Sequence, residues 1–255
     1  MKLVVLTALA FVFFSLGAAT TAVAQEEEAV AQQGTISQSF LLTVRLANVA
    51  QFEEAYLQHV EWHRQQSDTW TWDMWSTVTG DLGTYIVITD GHTWADFDAP
   101  PFDPVADGAD AMAQFGSLIE SVTGGFARLM TDVSRPAAGR MPLAHVIDFE
   151  VKEGMDDDFL QAVRKFTEAA EQVNWTEHYV WLASVSGTEG DYILVLQHEN
   201  WASFAPSEMS AEAVMEEAFG KQEATALWDM FFNAVESTSG RIWTYRPDLS
   251  YTPGN

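Results

Sequence analysis

The sequence predicts an α+β fold in which one βαββαβ unit occurs twice in tandem, the two four-stranded sheets facing each other to close a barrel. Three observations carry this expectation. Residues 83–97, GTYIVITDGHTWADF, recur as GDYILVLQHENWASF at 190–204, with every shared residue displaced by 107 positions. The displacement holds without a gap from Phe40/Ile147 through Phe52/Phe159 to Phe97/Phe204, which marks a duplicated domain and not shared composition. Each copy then presents the same order of period-two and helical patterns. Finally, the second strand of each copy carries bulk on both faces, as a strand buried on both sides must.

The elements follow in order. Phe40, Leu42 and Val44 alternate with Leu41, Thr43 and Arg45, and their counterparts Ile147, Phe149 and Val151 alternate with Asp148, Glu150 and Lys152, so one face of the first strand is core in both copies. A helical pattern comes next: Phe52, Ala55, Tyr56, His59, Val60 and His63 in the first copy, Phe159, Ala162, Val163, Phe166 and Ala170 in the second. Asp156, Asp157 and Asp158 suit the start of the second copy's helix, where acids complement the positive end of the dipole. Strands over 70–79 and 177–186 end in glycine-bounded turns, Gly80–Gly83 and Gly187–Gly190, and lead into strands over 85–90 and 192–197, so strands two and three form a hairpin. Second helices are expected over 110–124 and 211–236, and final strands near 126–133 and 240–246. The order βαββαβ is the ferredoxin-like split βαβ unit, with both helices on one face of the sheet and the other face bare. Pairing two bare faces removes that exposure.

The predicted organisation is a signal peptide at 1–24, a flexible leader at 25–38, a first domain at 39–136, a linker at 137–142, a second domain at 143–247 and a tail at 248–255. Lys2, the apolar run Leu3–Leu16 and Ala22-Val23-Ala24 compose the signal, which predicts a periplasmic or extracellular protein. The formal charge of −25 argues against nucleic acid and anionic membrane surfaces as partners, since both need clustered Lys and Arg. The chain has no cysteine, so no disulfide contributes.

Element order, the glycine-bounded hairpin and the aromatic segments HTWADF and ENWASF together resemble the dimeric α+β barrel superfamily, which includes antibiotic-biosynthesis monooxygenase-type and NIPSNAP-like domains. The resemblance covers roughly 39–136 and 143–247. It implies pseudo-dimeric barrels that hold small apolar or aromatic molecules, among them cofactor-free oxygenases and haem proteins. Some such barrels use an axial histidine on the second helix. Neither 110–124 nor 211–236 contains one, and no cofactor is expected.

Ten tryptophans make aromatic side chains the richest feature of the chain. Trp70, Trp72, Met74, Tyr179 and Trp181 on the second strands, with Arg45, Asp73 and His178, are the expected lining of a pocket for a small apolar or aromatic ligand. The competing reading is that the aromatic residues only plug the core, and that Arg45 forms an ion pair with Asp148 or Glu150. His59 and His63 stand at i and i+4 on the first helix, where they share a face. They are expected as partly buried surface residues, with a metal site or proton transfer as the alternative. The acids Asp96, Asp98, Asp103, Asp107 and Asp110 are expected in a solvated loop. Two functions follow: a binding or structural module, or a cofactor-independent oxygenase in which His178 or His59 takes a proton. The halves should form a monomer with an internal pseudo-dimer, or pair between chains as a homodimer.

Overall fold

The computed structural model describes residues 35–187 and 190–254. The signal peptide and most of the leader lie outside them. In the first half, β1 (Ile36–Val44), α1 (Val49–Gln66), β2 (Asp73–Thr77), β3 (Thr84–His92), α2 (Pro104–Gln114) and β4 (Ile119–Leu129) follow the expected order. The second half comprises β5 (Leu143–Val151), α3 (Asp156–Gln172), β6 (Tyr179–Ser186), β7 (Tyr192–His198), α4 (Ala211–Phe219), α5 (Lys221–Ala234) and β8 (Val235–Tyr245). The eight strands close one antiparallel barrel in the order β1-β3-β2-β8-β5-β7-β6-β4. Each half contributes four adjacent strands. The seams are β2–β8, where Trp75 pairs with Tyr245 and Thr77 with Trp243, and β4–β6, where Leu129 pairs with Leu182.

Alternation sends one set of side chains under the helices and the other into the barrel. Leu42, Val44, Met74, Tyr85 and Val87 pack beneath α1 and α2 with Phe52, Tyr56 and Phe115. Phe149, Val151, Tyr179, Trp181 and Tyr192 pack beneath α3 with Phe159 and Phe231. The repeated glycines of the hairpins have a common cause. A Cβ on Gly83 would stand 2.4 Å from the Val44 carbonyl oxygen, and one on Gly190 would stand 2.6 Å from that of Phe149. The hairpin loop presses on the first strand in both copies, and only glycine leaves room. The segments HTWADF and ENWASF form short 3-10 turns, opened by Thr93 in a capping box with Asp96 and by Asn200, which accepts from Ala202 N and Ser203 N.

Four expectations need correction. β1 begins at Ile36, so 36–38 are strand and not leader. The first half's second helix begins earlier than expected and ends at Gln114, because Asp103 caps it by accepting from Val105 N and Ala106 N while Pro104 starts it. Ile119, Val122 and Thr123 then favour β4 where helix was expected. In the second half, Gly220 divides the expected helix into α4 and α5. The tail is not peripheral: Leu249 and Tyr251 are buried in the first half's core, and Tyr251 exchanges backbone hydrogen bonds with Trp72. Among the described residues no helix is long and apolar enough to cross a membrane.

Candidate functional site

The barrel encloses a cavity of about 680 Å³, within the usual range for small-molecule sites of roughly 300–1,000 Å³. Its wall is mostly aliphatic: Ile86 and Ile88 of β3 face Ile193 and Val195 of β7, joined by Val146 and Leu182. Trp75 and Trp243 add two indoles. One end is formed by the starts of β1, β2, β5 and β6 and the ends of β3, β4, β7 and β8. The linker lies there, with Pro136, Gly139, Arg140 and Met141 on the cavity wall.

No protein-family model matches the sequence, and no curated protein is similar to it at the sequence level. Solved structures are similar in fold. A candidate monooxygenase from Lactobacillus acidophilus superposes with a TM-score of 0.54 at 12% identity, over 87% of this chain and 97% of that one. An anthrone oxidase-like protein gives 0.51 at 11%, over 88% and 96%. Chlorite dismutase from Candidatus Nitrospira defluvii gives 0.51 at 11%, over 88% and 97%. The likeness covers most of the eight-stranded α+β barrel. At such identities the likeness concerns the fold alone, and the chemistry of this α+β barrel has to be read from its own residues.

Two ion pairs break the apolar wall. Arg140 of the linker contacts Asp73 at the start of β2 and reaches Asp90 at 3.4 Å. Arg241 of β8 stands 3.5 Å from Asp148 of β5, which also accepts from the Ser239 hydroxyl at 3.2 Å. Burial raises the pKa of both Asp73 and Asp148, and the paired arginines only partly offset it. The two pairs are unrelated by the duplication: the counterpart of Asp73 is Val180, and that of Trp75 is Leu182. The matched pairs Ile86/Ile193 and Ile88/Val195 are apolar in both halves, whereas Asp73 and Asp148 have the apolar counterparts Val180 and Leu41.

Of the side chains expected to line the pocket, Asp73 does so. Trp70, Trp72, Met74, Tyr179 and Trp181 do not; they stand on the opposite parity of their strands and fill the cores under the helices. Both faces of these strands are bulky, so bulk alone could not separate interior from helix side. The helix side takes Trp70, Trp72, Met74, Tyr179 and Trp181, leaving Trp75, Val180 and Leu182 to the cavity. Arg45 is exposed and pairs with Glu120 at 2.7 Å, not with Asp148 or Glu150. His178 is exposed just before β6. Among the described residues no histidine lines the cavity, so neither His178 nor His59 is placed to act as a base there.

His59 and His63 are instead buried, at 8% and 5% exposure, between α1 and α2. Of the acids expected in a solvated loop, Asp107 and Asp110 lie on α2 and face them, Asp103 caps that helix, and Asp96 and Asp98 belong to the preceding 3-10 turn. His59 Nδ1 lies 2.8 Å from Asp110 Oδ2, and His63 Nδ1 lies 2.9 Å from Asp68 Oδ2. Asp107 Oδ1 approaches both Nε2 atoms, at 3.2 and 3.1 Å. Burial lowers the His63 pKa, yet Asp107 and Asp68 prevail and raise it to about 9. Asp107 is penalised by burial but held at about 2 by the two imidazoles. Asp68 also accepts from the Trp72 indole N–H at 3.1 Å and from Trp70 N at 2.9 Å. The sequence did carry a signal for these acids: Asp103, Asp107 and Asp110 have helical spacing behind an Asp-Pro start.

Proposed function

We propose that this protein binds a small, largely apolar molecule inside the barrel, its polar end held at the Asp73–Arg140 or Asp148–Arg241 pair. The supporting observation is an aliphatic cavity of about 680 Å³ walled by Ile86, Ile88, Ile193 and Val195 and carrying two ion pairs whose aspartates are buried. A purely structural barrel has no need of an empty apolar interior, because packed cores leave few voids larger than water. Trp75 and Trp243 place two indoles on the wall for contact with an aromatic ring. The positively charged start, apolar run and A-x-A site of residues 1–24 support action outside the cytoplasm.

The test is a screen of small aromatic and aliphatic metabolites by tryptophan fluorescence. A bound compound should quench or shift the emission, and Ile88→Trp, which fills the cavity, should abolish the effect without unfolding the protein. Binding unchanged in Ile88→Trp would place the ligand elsewhere and reject the proposal.

One observation favours a cofactor-independent oxygenase as a second reading. Asp73 is a carboxylate on the cavity wall with a pKa raised by burial, the property a general base requires. Two proteins of similar fold are described as a candidate monooxygenase and as anthrone oxidase-like. Oxygen consumption with a bound compound, lost in Asp73→Asn while binding persists, is the expected signature. Binding without oxygen consumption leaves the ligand-binding reading alone.

A further inference from the structure

We propose that His59, His63 and Asp107 form a binding site for a divalent zinc-class metal ion, outside the barrel and independent of its cavity. The three donor atoms, His59 Nε2, His63 Nε2 and Asp107 Oδ1, form a triangle with sides of 3.1, 3.2 and 3.3 Å. Ligand atoms on one tetrahedral zinc ion lie about 3.3 Å apart, given bonds of about 2.0–2.1 Å. The triangle is therefore one face of a zinc coordination tetrahedron, with the fourth position left for water.

Hydrogen bonding points the same way. Carboxylates only accept, so each Nδ1, facing Asp110 or Asp68, carries its hydrogen. Both Nε2 atoms of the neutral rings then direct lone pairs at each other and at the Asp107 oxygen. One proton serves one edge of the triangle and leaves another lone pair facing a lone pair. Two protons put two imidazolium cations 3.3 Å apart in a buried place. A single divalent cation satisfies all three donors together. It also answers the charge: three carboxylates, those of Asp68, Asp107 and Asp110, surround the two imidazoles.

The outer contacts have the form that orients metal-bound histidines, in which the distal ring N–H donates to a carboxylate. Asp68 is itself fixed by His63, the Trp72 indole and Trp70 N, and Tyr251 O–H donates to its backbone carbonyl at 2.7 Å. Trp62 stacks on His59 with centroids 5.9 Å apart. The second half has Phe166 and Ala170 in place of the histidines, so the site belongs to the first half alone. The ion would clasp α1 to α2.

The test uses the untagged mature protein, stripped with a chelator and titrated with Zn²⁺ by calorimetry. One equivalent should bind and should raise the thermal midpoint. Asp107→Asn and His63→Gln should each weaken binding at least a hundredfold, and Asp68→Asn by about tenfold to a hundredfold as an orienting partner. Co²⁺ should give the intense visible bands of four-coordinate geometry. If His63→Gln does not fold, the half-exposed Asp107→Asn, checked by circular dichroism, decides. No saturable Zn²⁺ binding, binding unchanged in folded Asp107→Asn, or the weak bands of six-coordinate Co²⁺ would each overturn the site.

Discussion

Asp73 concentrates the physics of the barrel interior in one side chain. It is 2% exposed, touches Arg140 and accepts from the Tyr245 hydroxyl at 3.3 Å. Burial nevertheless raises its pKa. For an acid with a raised folded-state pKa, the favourable contribution is complete below the unfolded value of about 3.9 and is lost as pH rises through the folded value. The stability of Asp73→Asn relative to the wild type should therefore increase between pH 4 and pH 7, read from urea midpoints at the two pH values. The opposite trend would mean that the Arg140 contact outweighs desolvation. At the same scale, Asp73 is visible in the sequence as a residue that the second copy does not repeat, with Val180 at the matching position, and Trp75 faces the same cavity. Asp73 was expected on the pocket wall and lines it; the direction of Trp75 was not visible. Met74 and Trp75 are neighbouring large apolar side chains, and which of them meets a helix depends on elements distant in sequence.

Among the elements, the tail and the linker do more than connect. The tail returns from β8 to the first half, where Leu249 is 1% exposed and Tyr251 is 3% exposed. Arg246 binds Glu53 of α1, which in turn accepts from the Tyr85 hydroxyl. Leu249→Ala should destabilise the protein by about 2–5 kcal/mol, the range for emptying a buried leucine site, measured by urea denaturation. A change under about 1 kcal/mol would show that the tail docks loosely. The linker, short and turn-rich in sequence, carries Arg140 to the mouth of the barrel. Its shortness was legible; its place beside Asp73 was not, because that contact follows from barrel closure. α2 makes the same point more strongly. Asp103-Pro104 is a helix start that composition disguised as loop, and the error hid Asp107 and Asp110 from His59 and His63.

At the scale of the whole molecule, one chain supplies all eight strands of a barrel that others of its fold class could assemble from two. The seams β2–β8 and β4–β6 join the halves within the chain. Sizing should thus give a single copy of the chain, 28.3 kDa at full length. A mass twice that, persisting on dilution, would count against self-sufficiency of the closed barrel. The first half expressed alone, without its seam partners and tail, should not give a cooperative unfolding transition.

The 107-residue repeat by itself determined the duplication, the βαββαβ order and the glycine-bounded hairpins, since these rest on local alternation and backbone freedom. His59, His63, Trp72, Asp73 and His178 stand out from it as unrepeated. Only the tertiary structure decided what those residues face. Strand parity has two solutions, and the choice between cavity and core is made by helices and strands arriving from far along the chain. For the same reason, the triangle of His59, His63 and Asp107 exists only once α2 lies on α1.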